Sequence, residues 1–311
     1  MAETDTGGTD NGLPLVLAIF GPTASGKSAV AEAIAERIPA AVISADSAQV
    51  YRGLPILTNQ PRHPTRLVAI WELEREASVG DYQRLGHAAI DETLDQAMTP
   101  VVVGGTGLYL RAALADLELP PPPAAGARER WTRLYDRLGP ERAHALLSDS
   151  DPRSAAAVHP NDRRRVVRAL ELAEAGLSLR PGRDRLWGEG TRHPTRVFGL
   201  DLPRDLLNAR IETRTRAMFE AGAQGEARAA LARPLSQTAR KILGLREAAE
   251  LPREEAVEAI ALRTRRYAAY QRKWMRRIPG LTRLDGNRPP EDVASEILEV
   301  ASAGQRLPAH R

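Results

Sequence analysis

An apolar run, Leu13 to Phe20, breaks abruptly into Gly21-Pro22-Thr23-Ala24-Ser25-Gly26-Lys27-Ser28, and an alanine-rich segment, Ser28 to Ile38, follows. The order of buried strand, glycine-bounded loop and helix constrains the fold more than any other feature of the chain. The loop satisfies G-x-x-x-x-G-K-[ST] in full, in the setting that pattern needs. Its glycines let backbone N–H groups curl around phosphate oxygens. The helix starting near Lys27 adds the positive end of its dipole. Lys27 brings a point charge to a terminal phosphate, and Ser28 a hydroxyl for Mg²⁺. Residues 21–28 are therefore the expected phosphate site; the pattern leaves open which phosphate compound binds and whether a phosphoryl group moves.

The next segments extend the same architecture. Ala41 to Ser44 and Pro100 to Val103 read as further buried strands, Leu67 to Trp71 as another, and Asp81 to Met98 as a helix with Tyr82, Leu85, Ala88, Ala89 and Leu94 on or near one face. Strands alternating with helices predict an α/β fold, a P-loop NTPase-like parallel sheet core flanked by helices. Four prolines, Pro120 to Pro123, form a stiff connector, after which only helical patterns occur from Ala127 to about Leu177. Arg196 to Leu200 returns to a strand pattern, helices are expected over 204–232, 237–250 and 253–277, Leu281 to Leu284 is a short strand, and Glu291 to Ala303 a closing helix. The expected organisation is a disordered leader at 1–11, a core built from 12–119 and 193–311, and an all-helical insertion domain at 120–192.

Composition removes several function classes. The chain has no cysteine, which excludes disulfides, thiol nucleophiles and cysteine-ligated metal. Its six histidines are scattered, without a pair at zincin spacing. No apolar run reaches the ~18–20 residues that span a bilayer, and the polar, acidic start does not resemble a signal peptide. A cytoplasmic protein without membrane contact is expected, and a monomer, since no coiled-coil repeat or long apolar stripe is visible.

Charge is unevenly distributed. The net of +4 from 44 basic and 40 acidic residues conceals 8 basic and 15 acidic residues in 1–120, against 36 and 25 in 121–311. The two parts therefore differ as −7 against +11, and all but three of the basic residues are arginine. Such asymmetry points to a polyanion for the second part, although arginine richness by itself also follows from a GC-rich genome.

Asp46 ends the second strand, in Ile43-Ser44-Ala45-Asp46-Ser47-Ala48-Gln49, where open α/β sheets bind ligands. From position alone it can orient Mg²⁺, act as a general base, or merely cap a turn. After Val101–Val103 comes Gly104-Gly105-Thr106, with no acidic residue of the Walker-B kind, which argues against an ordinary ATPase.

These segments together resemble the tRNA dimethylallyltransferase (IPP transferase) family. The resemblance is carried by residues 21–28, by Ile43 to Tyr51 (ISADSAQVY) and by Val103 to Tyr109 (VGGTGLY). It continues in His159-Pro160-Asn161-Asp162 with Arg165 and Arg168, in Arg210-Ile211-Glu212-Thr213-Arg214, in Leu243-Gly244-Leu245 with Glu247, and in Thr264-Arg265 through Gln271 and Trp274. The matches keep their order over residues ~13–285.

The resemblance implies transfer of a dimethylallyl group from dimethylallyl diphosphate to N6 of the adenosine 3′-adjacent to the anticodon of tRNA, with Mg²⁺ as cofactor and release of diphosphate. It implies Asp46 as general base, Thr106 positioning substrate beside it, Arg214 near the diphosphate, and Ser28 toward Mg²⁺. It also implies RNA contacts by Asp46, Ser47, Ala48, Gln49, Thr106, Arg128, Arg164, Arg165, Arg168, Lys241, Gly244, Arg246, Gln271, Arg272 and Arg276. A loop adenosine suits such an enzyme because extruding an unpaired base costs least. The chain departs from the family pattern at Leu57-Thr58-Asn59-Gln60-Pro61 (usually G-T-x-K-P), at Thr65-Arg66-Leu67 (usually H-H-L) and at Ala269-Tyr270, which replace two basic residues. A P-loop small-molecule or nucleotide kinase is the alternative, which a basic second half and a helical insertion disfavour. A non-catalytic RNA-binding protein is a further one, which the presence of Asp46 and Lys27 disfavours.

Overall fold

A computed structural model describes residues 15–122, 124–179, 186, 188 and 190–303. The leader at 1–11, the first two residues of the apolar run and Pro123 lie outside these. Two compact units emerge, Met1–Ala115 with Glu189–Arg311 in one and Asp116–Gly188 in the other.

The first unit is built on six strands: β1 (Val16–Phe20), β2 (Ala40–Ser44), β3 (Thr65–Arg66), β4 (Thr99–Gly104), β5 (Thr195–Asp201) and β6 (Leu281–Asp285). They pair in the order β3-β2-β4-β1-β5-β6, each neighbour parallel to the next. Parallel strands require crossovers; α1 (Lys27–Ala35) lies in the one from β1 to β2 and α2 (Val79–Asp95) in the one from β3 to β4, while α3 (Gly107–Leu114) follows β4. Residues alternate between the sheet faces. Leu17, Ile19, Val42, Val101 and Val103 join Val30 and Ile34 of α1 and Val293 and Ile297 of α12 (Pro290–Ala303) in one core. Helices α2 and α3 pack on each other and against β2 and β4.

The register places the site. Phe20 pairs with Gly104 and Ser44 with Val103, so the C-terminal ends of β1, β2 and β4 lie side by side. Three loops therefore leave the sheet together. Their proximity depends on missing side chains: a Cβ on Gly104 would stand 2.2 Å from the Ala45 carbonyl oxygen, and one on Gly105 3.0 Å from that of Gly21.

Several expectations from sequence need correction. Leu67 to Trp71 is not a strand, because Leu67 (φ 62°) and Ala69 (φ 51°) adopt left-handed backbone. Only Thr65–Arg66 pairs with β2, and Trp71 makes an isolated bridge to Tyr51. Helix α2 buries Tyr82, Gly86, Ala89, Ile90 and Thr93, while Leu85 and Ala88 face solvent. The segment 204–232 is two helices, α8 (Arg204–Glu220) and α9 (Ala223–Leu231), divided where Gly222 takes φ 101°. The segment 237–250 is a 3₁₀ turn (Ala239–Lys241), a left-handed Gly244 and a short α10 (Leu245–Glu250). The segment 253–277 is one 23-residue helix, α11 (Arg253–Met275).

The second unit holds α4 (Ala127–Leu138), α5 (Pro140–Ser150), α6 (Pro152–Ala155) and α7 (Arg163–Glu174) around Tyr135, Leu147, Val158, Val166 and Leu170. The buried carboxylate of Glu171 receives Arg128 Nε and Nη2 (2.8 and 3.2 Å) and Arg168 Nη1 (2.9 Å). Arg168 also donates to the carbonyl of Pro121. A carboxylate held out of water needs such partners.

Gly104→Ala is predicted to destabilise the protein by roughly 3 kcal/mol, because the new methyl meets backbone rather than a side chain that can swing away. Gly80→Ala, in α2 with only Ser78 Oγ at 3.9 Å, is predicted to be neutral or stabilising by up to about 1 kcal/mol. Urea unfolding of both variants checks the pair; equal effects would refute the steric account.

Candidate active site

The first of the three loops is the glycine-bounded turn, residues 21–28, expected from sequence to hold phosphate. Gly21 is enclosed, since a Cβ there would sit 2.6 Å from Ser25 Oγ. Gly26 takes φ 92° as the N-cap of α1, and no side chain caps the helix. Its first amides are thus left for an external acceptor, the arrangement that binds anions. Ala24 at φ 64° is a non-glycine residue in left-handed backbone, a strained conformation that the surrounding bonds must hold.

Thr23, Lys27, Ser28, Ser44, Asp46, Gln49 and Arg214 line one cleft at the strand ends. Burial lowers the Lys27 ammonium to about 8; Asp46 pulls it back up, and Arg214 presses it further down. Among the described residues its one hydrogen bond is a long one to the Pro22 carbonyl, 3.4 Å. Burial likewise lowers Arg214, partly offset by Asp46. Arg214 Nε is buried and finds no acceptor. Leaving a buried charged donor unpaired is costly. Two cations therefore line a cleft together with the carboxylates of Asp46 and Glu32, of which Asp46 acts on both cations.

The turn reading of Asp46 holds, and it uses only one of the two carboxylate oxygens. Its Oδ1 accepts from the N–H of Ala48 (2.8 Å) and Gln49 (3.4 Å), so it does brace a turn. Its Oδ2 takes part in no hydrogen bond among the described residues and is available to a ligand. Ser47 and Gln49 complete the turn. Gln49 Oε1 accepts from Ser44 Oγ (2.8 Å), and its Nε2 donates to the carbonyl of Asn59 (2.8 Å).

The segment that departs from the family pattern is fixed from both sides. Gln60, at the position of the usual lysine, donates to the carbonyls of Tyr51 (2.8 Å) and Gln49 (3.3 Å). The N–H groups of Ile56 and Leu57 donate to the Glu226 carboxylate at 2.8 and 2.7 Å. Asn59 supplies the left-handed residue there, at φ 51°.

Thr106 stands where a helix N-cap belongs, yet its hydroxyl does not cap α3. Oγ1 instead accepts from Ser47 N–H (3.3 Å) and lies 3.4 Å from both Ser47 Oγ and Tyr267 OH. A hydroxyl withheld from its own helix ties the second loop to the third. Burial, with Asp46 nearby, raises Tyr267 to about 12, and burial raises Tyr82 and Tyr109 as well, so all three phenols stay protonated. Tyr82 donates to the Ser44 carbonyl (2.9 Å) and its ring lies 4.3 Å from that of Tyr109.

The residues expected to meet RNA divide into kinds. Lys241, Arg246 and Arg276 are exposed in the first unit, and Arg164 and Arg165 in the second. Their side chains make no ion pair among the described residues. Arg128 and Arg168 are committed to Glu171, and Arg272 to Asp201 (Nε–Oδ1 2.7 Å) and the Leu202 carbonyl. Gly244 is buried against Ile260 at φ 86°. Gln271 is 2% exposed and bonded to two of the site loops. Tyr267 and Trp274 touch the site; the sequence reading includes them in the family segment 264–274 but gives them no role, although their spacing from Gln271 on α11, four residues before and three after, marks one helix face.

Two family descriptions match this chain: IPP transferase over residues 49–278 and isopentenyl transferase over residues 14–67. A tRNA dimethylallyltransferase of Streptomyces coelicolor is 38% identical over 88% of this chain and 91% of its own length. One from Kineococcus radiotolerans is 38% identical over 94% and 98%. The crystal structure of a tRNA isopentenylpyrophosphate transferase from Bacillus halodurans superposes with a TM-score of 0.68 at 31% identity, covering 94% of this chain and 96% of the other. A eukaryotic dimethylallyltransferase acting on tRNA shares the fold at a TM-score of 0.76 and 24% identity, over 96% and 82%. With these matches running through the loops of the cleft and most of its length, the chain belongs to the IPP transferase family.

Proposed function

We propose that this chain transfers a dimethylallyl group from dimethylallyl diphosphate to N6 of the adenosine 3′-adjacent to the anticodon of tRNA. The observation that carries the proposal is the cleft itself, lined by Lys27, by Asp46 and by Arg214, whose buried Nε has no acceptor among the described residues. Diphosphate supplies the missing anion. As C1 of the donor bonds to N6, the C1–O bond breaks and its electron pair leaves with the diphosphate. The amides of the glycine loop, Lys27 and Arg214 stabilise that growing charge. Asp46 Oδ2 accepts the N6 proton, while Oδ1 stays bound to its turn. Thr106, held by Ser47 and Tyr267, fixes the wall beside Asp46. Nothing in the relatives' names favours the kinase alternative, and Gly104-Gly105 occupies the place of the acidic residue an ordinary ATPase uses.

The same cleft suits Mg²⁺. The hydroxyl of Ser28 is an oxygen donor in a cleft that leaves the other positions to water and substrate phosphate. Among the described residues no group of three or more His, Asp and Glu could hold a metal alone. Bound there with the donor, the ion would neutralise charge on the leaving diphosphate. We assign the RNA surface to Arg164 and Arg165 in one unit and to Lys241, Arg246 and Arg276 in the other. The second unit is read as the tRNA-contacting insertion, and the setting as the cytoplasm. No helix among the described residues is long and apolar enough to cross a membrane.

Incubated with dimethylallyl diphosphate, Mg²⁺ and an anticodon stem-loop, the protein should add one dimethylallyl mass to the RNA; phosphate release from ATP without that gain would favour a kinase. Asp46→Asn should lower kcat by about 10²–10⁴-fold, with RNA affinity kept within a few-fold. Because the Lys27 ammonium is the form that binds an anion, pyrophosphate affinity should be full below about pH 8 and fall by up to about tenfold per unit above it. Calorimetry from pH 6.5 to 9.5 measures this, and Lys27→Met should flatten the dependence. Arg164→Ala and Arg165→Ala should each reduce the slope of log K against log salt by about 1, whereas Arg168→Ala should act mainly on stability. An unchanged slope in the first two would remove that helix from the RNA surface.

A further inference from the structure

We propose that Gln271 is a positioning residue that sets the distance between the diphosphate cradle and the base-accepting wall; the proposal rests on the prenyl-transfer reading for its activity readout only. Its carboxamide lies between two loops distant in sequence. Oε1 accepts from the N–H of Thr23 at 2.8 Å, and Nε2 donates to the carbonyl of Gly105 at 2.9 Å. Of the side chains of this size, only a carboxamide accepts and donates at once in that fashion. Glutamate would serve Thr23 and set a lone pair against the Gly105 oxygen; leucine would serve neither.

Both ends of this strut matter to the site. Thr23 precedes Ala24, whose left-handed backbone is strained unless neighbours hold it. Gly105 precedes Thr106, which faces Asp46's turn through Ser47. The approach is close enough that a Cβ on Gly105 would lie 2.1 Å from Gln271 Nε2. The turns of α11 on either side continue the contact. Tyr267 OH lies 3.4 Å from Thr106 Oγ1, and a Cβ on Gly107 would come within 2.2 Å of the Trp274 ring. Three residues of one helix face therefore clasp three consecutive residues, 105–107. Buried to 2% exposure, the Gln271 amide offers RNA nothing while both bonds stand.

The test uses the full-length protein and the variants Gln271→Glu and Gln271→Leu. At pH 7.5 Gln271→Glu should lose about 10²-fold in kcat, the scale of a small misplacement of reacting groups, with the tRNA Kd within about twofold. Pyrophosphate affinity should fall at least about fivefold, since the cradle relaxes. The ratio of variant to wild-type kcat should rise at least about tenfold as the pH falls from 8.5 to 5.5, because the introduced carboxyl regains a donor on taking up a proton. The pyrophosphate affinity ratio should rise in the same direction. Gln271→Leu should be impaired by a constant factor at every pH, and comparable Tm values for the two variants separate this from general loosening. Ratios flat with pH in Gln271→Glu, or a weakened tRNA Kd with unchanged kcat, would overturn the proposal. A wild-type protein that binds pyrophosphate but transfers no prenyl group would overturn the prenyl-transfer reading instead, leaving the pyrophosphate ratios to decide the role of Gln271.

Discussion

The close backbone approach at Gly104 and Gly105 is the constraint on which the rest of the site depends. Parallel pairing aligns the ends of β1, β2 and β4, but alignment alone would leave three loops apart. The absence of two side chains lets the third loop run against Ala45 on one side and Gly21 on the other. Phosphate cradle, carboxylate and threonine then occupy one crevice at the strand ends, where an open α/β sheet binds ligands. The clasp from α11 adds stiffness that the loops, carrying a strained Ala24, could not provide themselves.

Electrostatics turn this crevice into a specific one. Lys27 and Arg214 are drawn out of water and press on each other, and Asp46 only partly offsets their desolvation. A protein tolerates such a pair where a ligand completes it. The cost in the free state becomes affinity and, for a leaving group that gains charge, rate. Asp46 in turn spends one oxygen on its own turn and leaves the other without a hydrogen bond among the described residues, which is what the proposed base role requires.

Much of this was legible in the chain. The strand, glycine loop and helix at 13–38 produce β1, the cradle and α1, because burial and backbone freedom act locally there. What escaped sequence depends on contacts distant in the chain. Thr106 sits at the N-cap of α3 yet serves Ser47 and Tyr267, partners that no local pattern shows. The strand pattern at Leu67 to Trp71 is overridden by left-handed residues and a bridge to Tyr51. Leu85 and Ala88 seemed core-facing, yet the neighbour across α2 is Ala113 against Gly86, which selects a different face. Charge counting pointed to a basic second half, but Arg128 and Arg168 are absorbed by Glu171 and Arg272 by Asp201. Composition cannot distinguish an arginine that neutralises its own fold from one held ready for RNA.

The most direct test of the central claim is a crystal structure of the protein with inorganic pyrophosphate. Pyrophosphate oxygens should lie about 3 Å from the amides of the glycine loop, from Lys27 Nζ and from Arg214 Nε, with Asp46 Oδ2 left facing the open side. Pyrophosphate bound elsewhere, or in the loop with Arg214 Nε still without an acceptor, would contradict the account.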